Sequence, residues 1–323
     1  MINNSIQIGR LELKNRLVMP PMHTGLSKLG HVTDSLVQYY ADRARYSQPG
    51  LIICEHCCIT EQGRADRTQL SIAEDFCIEE HRRLTEAIHE GGSSVFIQLN
   101  HGGSRADPLD GGEIVSASVL PNPRRPRSNV LRALTAPEIH GLEKAYAEAA
   151  ERALKAGYDG IEIHSAHGYL LDQFYSPLTN KRDDEYAADK MENRLRFLLE
   201  TVKIVRDSIG QEVPLSVRLG GADYMEGGAT EEDAVAACCL LAEAGVDLLD
   251  ISGGMCGYIR PDVTEAGYFG SMTEKIKAAV SAPVLLTGGV KTLNEADALL
   301  LAEKADLIGV GRALFQDAHW RER

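Results

Sequence analysis

PLSVRLGGADYMEGGATEEDAVAACCLLAEAGVDLLDIS, residues 214–252, holds a complete strand–helix–strand unit. PLSVRL (214–219) and LLDIS (248–252) are short β-rich apolar runs. Between them Thr230, followed by Glu231, Glu232 and Asp233, starts a helix with anions at its positive end. Gly245 stands where a helix C-terminal glycine belongs, as does Gly157 earlier in the chain. The alternation extends over the whole sequence. Strand-like runs are RLVM (16–19), GLIICE (50–55), VFIQL (95–99), GIEIH (160–164), PVLLTG (283–288) and DLIGVG (306–311), besides the two above. Helical patterns cover 34–47, 79–91, 137–157, 191–209, 230–245, 271–281, 292–303 and 312–318. Strict alternation implies parallel pairing through right-handed crossovers, and eight units is the number that closes a barrel. The expected fold is α/β: a single (β/α)8 TIM barrel over 1–323. A doubly wound open sheet is the rival, but no GxGxxG follows the first strand.

The 323 residues are 44% hydrophobic and 25% charged, an ordinary globular balance. A net charge of −13 argues against a nucleic-acid partner. No apolar run reaches the ~18 residues of a membrane span, and MINNSIQIGRLELKNR has no signal-peptide core. The seven cysteines are odd in number and include adjacent pairs, a poor disulfide framework, so a reducing cytoplasm is expected. Cys54 and Cys57 have CxxC spacing without a second pair and read as core residues, not metal ligands. The irregular stretch 101–136, after the third strand, is rich in Pro and Gly and carries Arg124, Arg125, Arg127 and Arg132. It is expected to be a capping loop over one end of the barrel, its arginines a solvated or interface surface.

Chemistry in a barrel collects at the C-terminal strand ends. Here these ends carry Met22 and His23, Glu55 and His56, Gln98, His164 and His167, Arg218, Ser252 and Gly253, Gly288 and Gly289, and Gly311 and Arg312. Alternation puts Ile161 and Ile163 outward, hence Glu162 and His164 inward, and likewise Ser216 and Arg218 inward. Glu162 is expected to be hydrogen-bonded in the interior, with Arg218 as an ion-pair partner, because an unpaired buried charge is costly. TGGV (287–290) and the GR pair at 311–312 suggest a phosphate site at the last two strand ends. Gln98 and Arg218 would flank a heterocycle with mixed donor and acceptor edges. His164 and His167 can be read three ways: metal ligands lacking an evident third member, a general base pair, or N–H donors to one substrate oxygen. Tyr169 carries an O–H that can serve as a proton donor.

In combination, NRLVMPPM (15–22), QLNHGG (98–103), IEIHSAHGYL (161–170), SPLTNKRDDEY with MENRLRF (176–197) and LIGVGRAL (307–314) resemble the Old Yellow Enzyme family of flavin-dependent ene-reductases. PMHTG (21–25) is similar to the branch of bacterial 2,4-dienoyl-CoA reductases, without that branch's iron–sulfur and C-terminal domains. The resemblance implies non-covalent FMN. It places Pro20, Pro21, Met22 and His23 along the flavin, with His56 approaching its ring. Gln98 falls at the pyrimidine edge, Arg218 near N1 and O2, and Gly289, Gly311 and Arg312 at the phosphate. It gives His164 and His167 the substrate's carbonyl oxygen and makes Tyr169 the proton donor. His23 and Gly25 stand where smaller relatives carry cysteine and tyrosine, and EYAAD (185–189) replaces EYGGS. Arg321 and Arg323 are weak candidates for an arginine reaching a neighbouring subunit.

The implied activity is an NAD(P)H oxidoreductase, with NADPH or NADH as hydride donor. It would reduce α,β-unsaturated carbonyl compounds or related small molecules by ping-pong hydride transfer through flavin N5, and relatives are often dimers or tetramers. The alternatives are a non-flavin lyase barrel with histidine metal ligands and a non-catalytic flavin-binding barrel.

Overall fold

Eight short apolar strands of one direction can hide both faces only by closing on themselves, with helices outside. The structure, a computed structural model, describes all residues except 110, 125–130, 261–262 and 323. Its parallel strands are β1 (Leu17–Met19), β2 (Leu51–Cys58), β3 (Ser94–Asn100), β4 (Gly160–Ser165), β5 (Leu215–Ala222), β6 (Leu248–Gly253), β7 (Val284–Thr287) and β8 (Leu307–Gly309). Each pairs with the next, and β8 pairs back onto β1, so the ring has no open edge and the (β/α)8 barrel is the observed fold.

Pleating sorts the side chains. Ile161, Ile163, Leu215, Val217, Leu249 and Ile251 join the large core under the helices. Val18, Leu51, Ile53, Phe96, Leu248, Leu285 and Leu307 point inward and fill the end of the barrel where the strands begin. Phe96 has room there because β4 opens with Gly160, where a Cβ would come within 2.3 Å of its ring.

An N-terminal hairpin closes the same end, and the sequence reading did not include it. Ile6–Ile8 pairs antiparallel with Leu11–Leu13 across a turn in which Gly9 takes φ +54°. Ile8 and Leu13 complete the inner apolar plug. Two boundaries also differ. The pattern at 34–47 resolves into an α-helix, Asp34–Asp42, and a π-helical turn, Arg43–Ser47. β2 runs through to Cys58, so Glu55 and His56 lie inside it and not after it. Thr230 does cap its helix, in a reciprocal box with Asp233. Cys54 and Cys57 are fully buried free thiols in the core, as read from the sequence.

The stretch 101–136 contains a 3-10 turn, Gly103–Arg105, and two short parallel strands, Ile114–Ser116 and Leu131–Ala133. It bonds to the loops after β4 and β6: Asn122 Nδ2 donates to Gly168 O (2.8 Å), and Arg124 Nη1 to Cys256 O (3.0 Å). Arg132 is held by Glu113 and Glu138, while Arg125 and Arg127 lie outside the described residues. Arg321 donates to Gln48 O and Asn3 Oδ1, and Arg323 lies outside the described residues.

Gly160→Ala is expected to lower stability by about 1–3 kcal/mol through overpacking against Phe96. Urea denaturation measures this, and an unchanged midpoint would show that the ring gives way freely.

Candidate active site

The loops leaving β1, β4, β6, β7 and β8, with His56 of β2, Gln98 of β3 and Arg218 of β5, surround a cavity of about 710 Å³. Every site residue selected from the sequence lines it, from Pro20, Pro21, Met22 and His23 through His56, Gln98, His164, His167, Tyr169 and Arg218 to Gly289, Gly311 and Arg312. Thr287 and Gly288 of the TGGV stretch line it too, as do Tyr258, Tyr268 and Lys291, which the sequence reading did not single out. The two tyrosines sit in an irregular loop, where no periodicity marks a residue as facing a site.

Beneath the cavity lies a buried charge cluster. Gln98 Nε2 donates to Glu162 Oε1 and Ser216 Oγ to Glu162 Oε2, each at 2.9 Å, the interior bonding expected for Glu162. Arg218, however, is paired with Asp250, Nε to Oδ2 at 3.3 Å. The ion-pair partner expected was Glu162. Register explains the difference: Arg218 lies level with Asp250 on the neighbouring β6, whereas Glu162 lies level with Ser216. LLDIS obeys the same alternation as GIEIH, so Asp250 was recognisable as inward-facing. Burial pushes the Glu162 carboxyl upward, and the Asp250 charge adds to this against the pull of Arg218. Burial also raises Asp250, with Arg218 opposing.

Above the cluster stand four aromatic groups. His164 and His167 are 5.1 Å apart between ring centres and nearly perpendicular. Tyr169 lies 5.1 Å from His164 and 5.3 Å from His56. His167 takes φ +60°, a left-handed conformation uncommon for a side chain of its size, and Gly168 follows with φ +75°. This tight turn brings two histidines and a tyrosine from within six residues of chain to one place. Burial drives His164 and His167 well below the ordinary histidine value, helped by the Arg218 charge, so both are neutral at pH 7. His167 Nε2 lies 2.8 Å from Ser252 Oγ, whereas the buried His164 Nδ1 has no protein partner. His164 and His167 belong to no three-residue metal-ligating group among the described residues.

His23 behaves in the opposite way. Its Nδ1 lies 3.6 Å from Glu55 Oε1 and its Nε2 3.4 Å from Asp66 Oδ2. Glu55 reaches it from a β-bulge, where the β2–β3 register shifts between Cys54 and His56. The Glu55 N–H donates to Tyr40 Oη at 2.9 Å. The hydrogen bond to Glu55, reinforced by Asp66 against burial, raises the His23 pKa. Burial first and the His23 charge second lower His56 to about 3.

The ends of β7 and β8, adjacent in the sheet, bring Gly288, Gly289, Lys291, Gly311 and Arg312 to the cavity. Gly289 has φ +70°, and a Cβ there would approach the Tyr268 ring to 2.9 Å, so packing as well as conformation requires glycine. Gly311 caps the short helix Arg312–Gln316.

A profile of the NADH:flavin oxidoreductase / NADH oxidase family matches residues 2–323. The chain belongs to this family. It is 36% identical to an NADH oxidase of Thermoanaerobacter brockii over 98% of its length and 49% of that protein's. The chain thus spans about half the length of that relative. It is 37% identical to an NADPH dehydrogenase of Bacillus velezensis, covering 95% of this chain and 89% of the relative. An Old Yellow Enzyme homologue from Zymomonas mobilis superposes with a TM-score of 0.84 at 30% identity, over 96% of this chain and 88% of that one. Membership of the Old Yellow Enzyme family, implied by the sequence motifs, is thereby shown.

The two kinds of histidine make opposite contributions to stability as pH changes. The raised His23 stabilises the fold at low pH, and this contribution fades as pH climbs through its folded pKa. The lowered His164 and His167 favour the fold above about pH 6.5, and their contribution is lost as pH falls toward their folded values. NMR titration of the imidazoles should place His23 above 6.5, and Glu55→Gln should bring it down. A His23 midpoint indifferent to Glu55→Gln would remove the ion pair as the cause.

Proposed function

We propose that this chain is an FMN-dependent NAD(P)H oxidoreductase that reduces C=C bonds conjugated to a carbonyl or related group. The observation that carries the reading is one cavity lined by two neutral histidines, a phenol and a buried guanidinium. The residues present fit FMN. The glycine backbone at 288–289 and 311, with Arg312 and Lys291, matches a phosphate in charge and space. Gln98 Nε2 is engaged by Glu162, which turns the Gln98 carbonyl oxygen toward other partners, and Arg218 meets negative charge on a heterocycle. Pro20 to His23, with His56, would line the ring system. When bound, FMN supplies the two-electron chemistry, taking hydride from NAD(P)H and giving it to the alkene.

The protein's part is orientation and polarisation. His164 and His167 bind the substrate's carbonyl oxygen, drawing electron density toward it so that the β-carbon becomes electrophilic. In the tautomer whose Nε2 accepts from the Ser252 hydroxyl, the N–H of the His167 ring is on Nδ1, the nitrogen left for the substrate. Tyr169 gives its phenolic proton to the α-carbon. Burial raises the Tyr169 pKa, which keeps the proton in place until it is needed.

Purified protein is expected to show a flavin band that bleaches on anaerobic addition of NADPH or NADH. With 2-cyclohexenone as oxidant, His164→Ala should slow alkene reduction by roughly 10²-fold while bleaching proceeds normally. Tyr169→Phe should slow the same step by roughly 10² or more, with FMN retained. Equal loss in both half-reactions would overturn the substrate-oxygen role of His164. A protein that is colourless and takes up no added FMN would overturn the cofactor assignment.

A further inference from the structure

Arg105 ends the 3-10 turn that opens the excursion after β3, and it was not among the arginines noticed in the sequence. Its Nη1 donates to His167 O at 2.5 Å. Its guanidinium carbon lies 4.3 Å from the centre of the Tyr169 ring. One side chain thus touches both the residue that would bind the substrate oxygen and the residue that would protonate the α-carbon. We propose that Arg105 is a positioning residue of the site, fixing the His167–Tyr169 turn so that the imidazole and the phenol meet the same substrate. The proposal rests on the roles assigned above to His167 and Tyr169.

The turn needs such a support. His167 is a side-chain-bearing residue at φ +60°, a conformation that persists only where surrounding contacts impose it. Its N–H reaches Gly253 O at a long 3.3 Å. The next residue is gripped more firmly: Gly168 N donates to Asp172 Oδ2 (2.6 Å), and Gly168 O accepts from Asn122 Nδ2 and Gln173 Nε2. Those bonds hold the backbone at Gly168, and Ser252 holds the His167 ring. Arg105 adds a bond to the His167 carbonyl and a face against the Tyr169 ring. Its planar guanidinium offers a directed N–H to a carbonyl and a flat face to an aromatic ring at the same time, which the ammonium of lysine does not.

The arginine also acts electrostatically. Burial is the main cause raising the Tyr169 pKa. Arg105 opposes it most strongly, Arg124 also opposes it, and Asp66 adds to it. The neighbouring His56 and His164 rings are neutral, both lowered chiefly by burial. Arg105 thereby makes the phenol a better acid than its burial alone would allow. The same cation also disfavours protonation of His164 and His167. Arg105 is not in the cavity lining, so these effects act through the turn and the ring.

The test uses the holoenzyme with 2-cyclohexenone and the variants Arg105→Met, Arg105→Lys, Tyr169→Phe and the double variant Arg105→Met/Tyr169→Phe. Thermal melts and FMN content establish that each is folded and loaded, and Arg105→Lys is the fallback where the methionine variant is not. Arg105→Met should slow alkene reduction by roughly 10²-fold while flavin reduction by NADPH changes by less than about twofold. The lysine variant should recover part of the loss, because it keeps the charge but not the fork. The double variant should lose less than the product of the two single losses, since part of the Arg105→Met effect passes through Tyr169. The enone's Kd, measured by calorimetry, should weaken in Arg105→Met, because His167 is displaced as well. Independent, multiplying effects of the two substitutions, equal slowing of both half-reactions, or a wild-type Kd in Arg105→Met would overturn the proposal. If Tyr169→Phe alone keeps the wild-type rate, the proton-donor reading fails. The calorimetric Kd then still decides whether Arg105 positions His167.

Discussion

A single guanidinium in the barrel interior, Arg218, sits among two buried carboxylates, and much of the site is arranged around that fact. Burying a charge without partners costs several kcal/mol, so every inward residue at this level must contribute a bond or a countercharge. Asp250 supplies the charge, while Glu162 is tied by Gln98 and Ser216. The groups therefore come from four neighbouring strands, Gln98, Glu162 and Ser216 at one register level and Arg218 and Asp250 two residues further on, and that register sets their contacts. Below this layer the barrel is sealed by Phe96 and the hairpin residues Ile8 and Leu13. Above it, the same strands deliver His164, His167 and Ser252 to the cavity.

Histidine ionisation follows from where each ring stands relative to that interior charge. His164 and His167 are buried near the Arg218 charge, which lowers both, so the neutral rings offer N–H groups without adding charge. His23 lies at the rim between two carboxylates, and its hydrogen bond to Glu55 raises its pKa. Burial thus pushes His164 and His167 toward the neutral form while a carboxylate partner pushes His23 toward the protonated one, so the difference is due to the surroundings, not to the residue type.

The excursion after β3 contributes more to the site than a passive covering would. Its residues bond to the turns after β4 and β6, and Arg105 contacts the backbone of His167 and the ring of Tyr169. An irregular segment can do this because it is free of the pleat: its side chains are aimed by local turns and not by strand alternation.

The sequence by itself determined the barrel, the inward residues of its strands and the cluster of His164, His167 and Tyr169 at the cavity. Pleating has a period of two, helices need caps and apolar faces, and eight parallel units close a ring, so LLDIS, GIEIH and PLSVRL already state which residues face inside. The motif IEIHSAHGYL kept its histidines and tyrosine close in sequence, so their proximity in space was legible as well. Only the tertiary structure decided the pairings. Glu162 and Asp250 are equivalent by alternation, and cross-strand register alone gives Arg218 to the latter. A bulge aims Glu55 at His23, and loop geometry brings Tyr258, Tyr268 and Arg105 to the site. These contacts join residues far apart in the chain whose side-chain directions are set by non-repeating backbone, and periodicity carries no information about them.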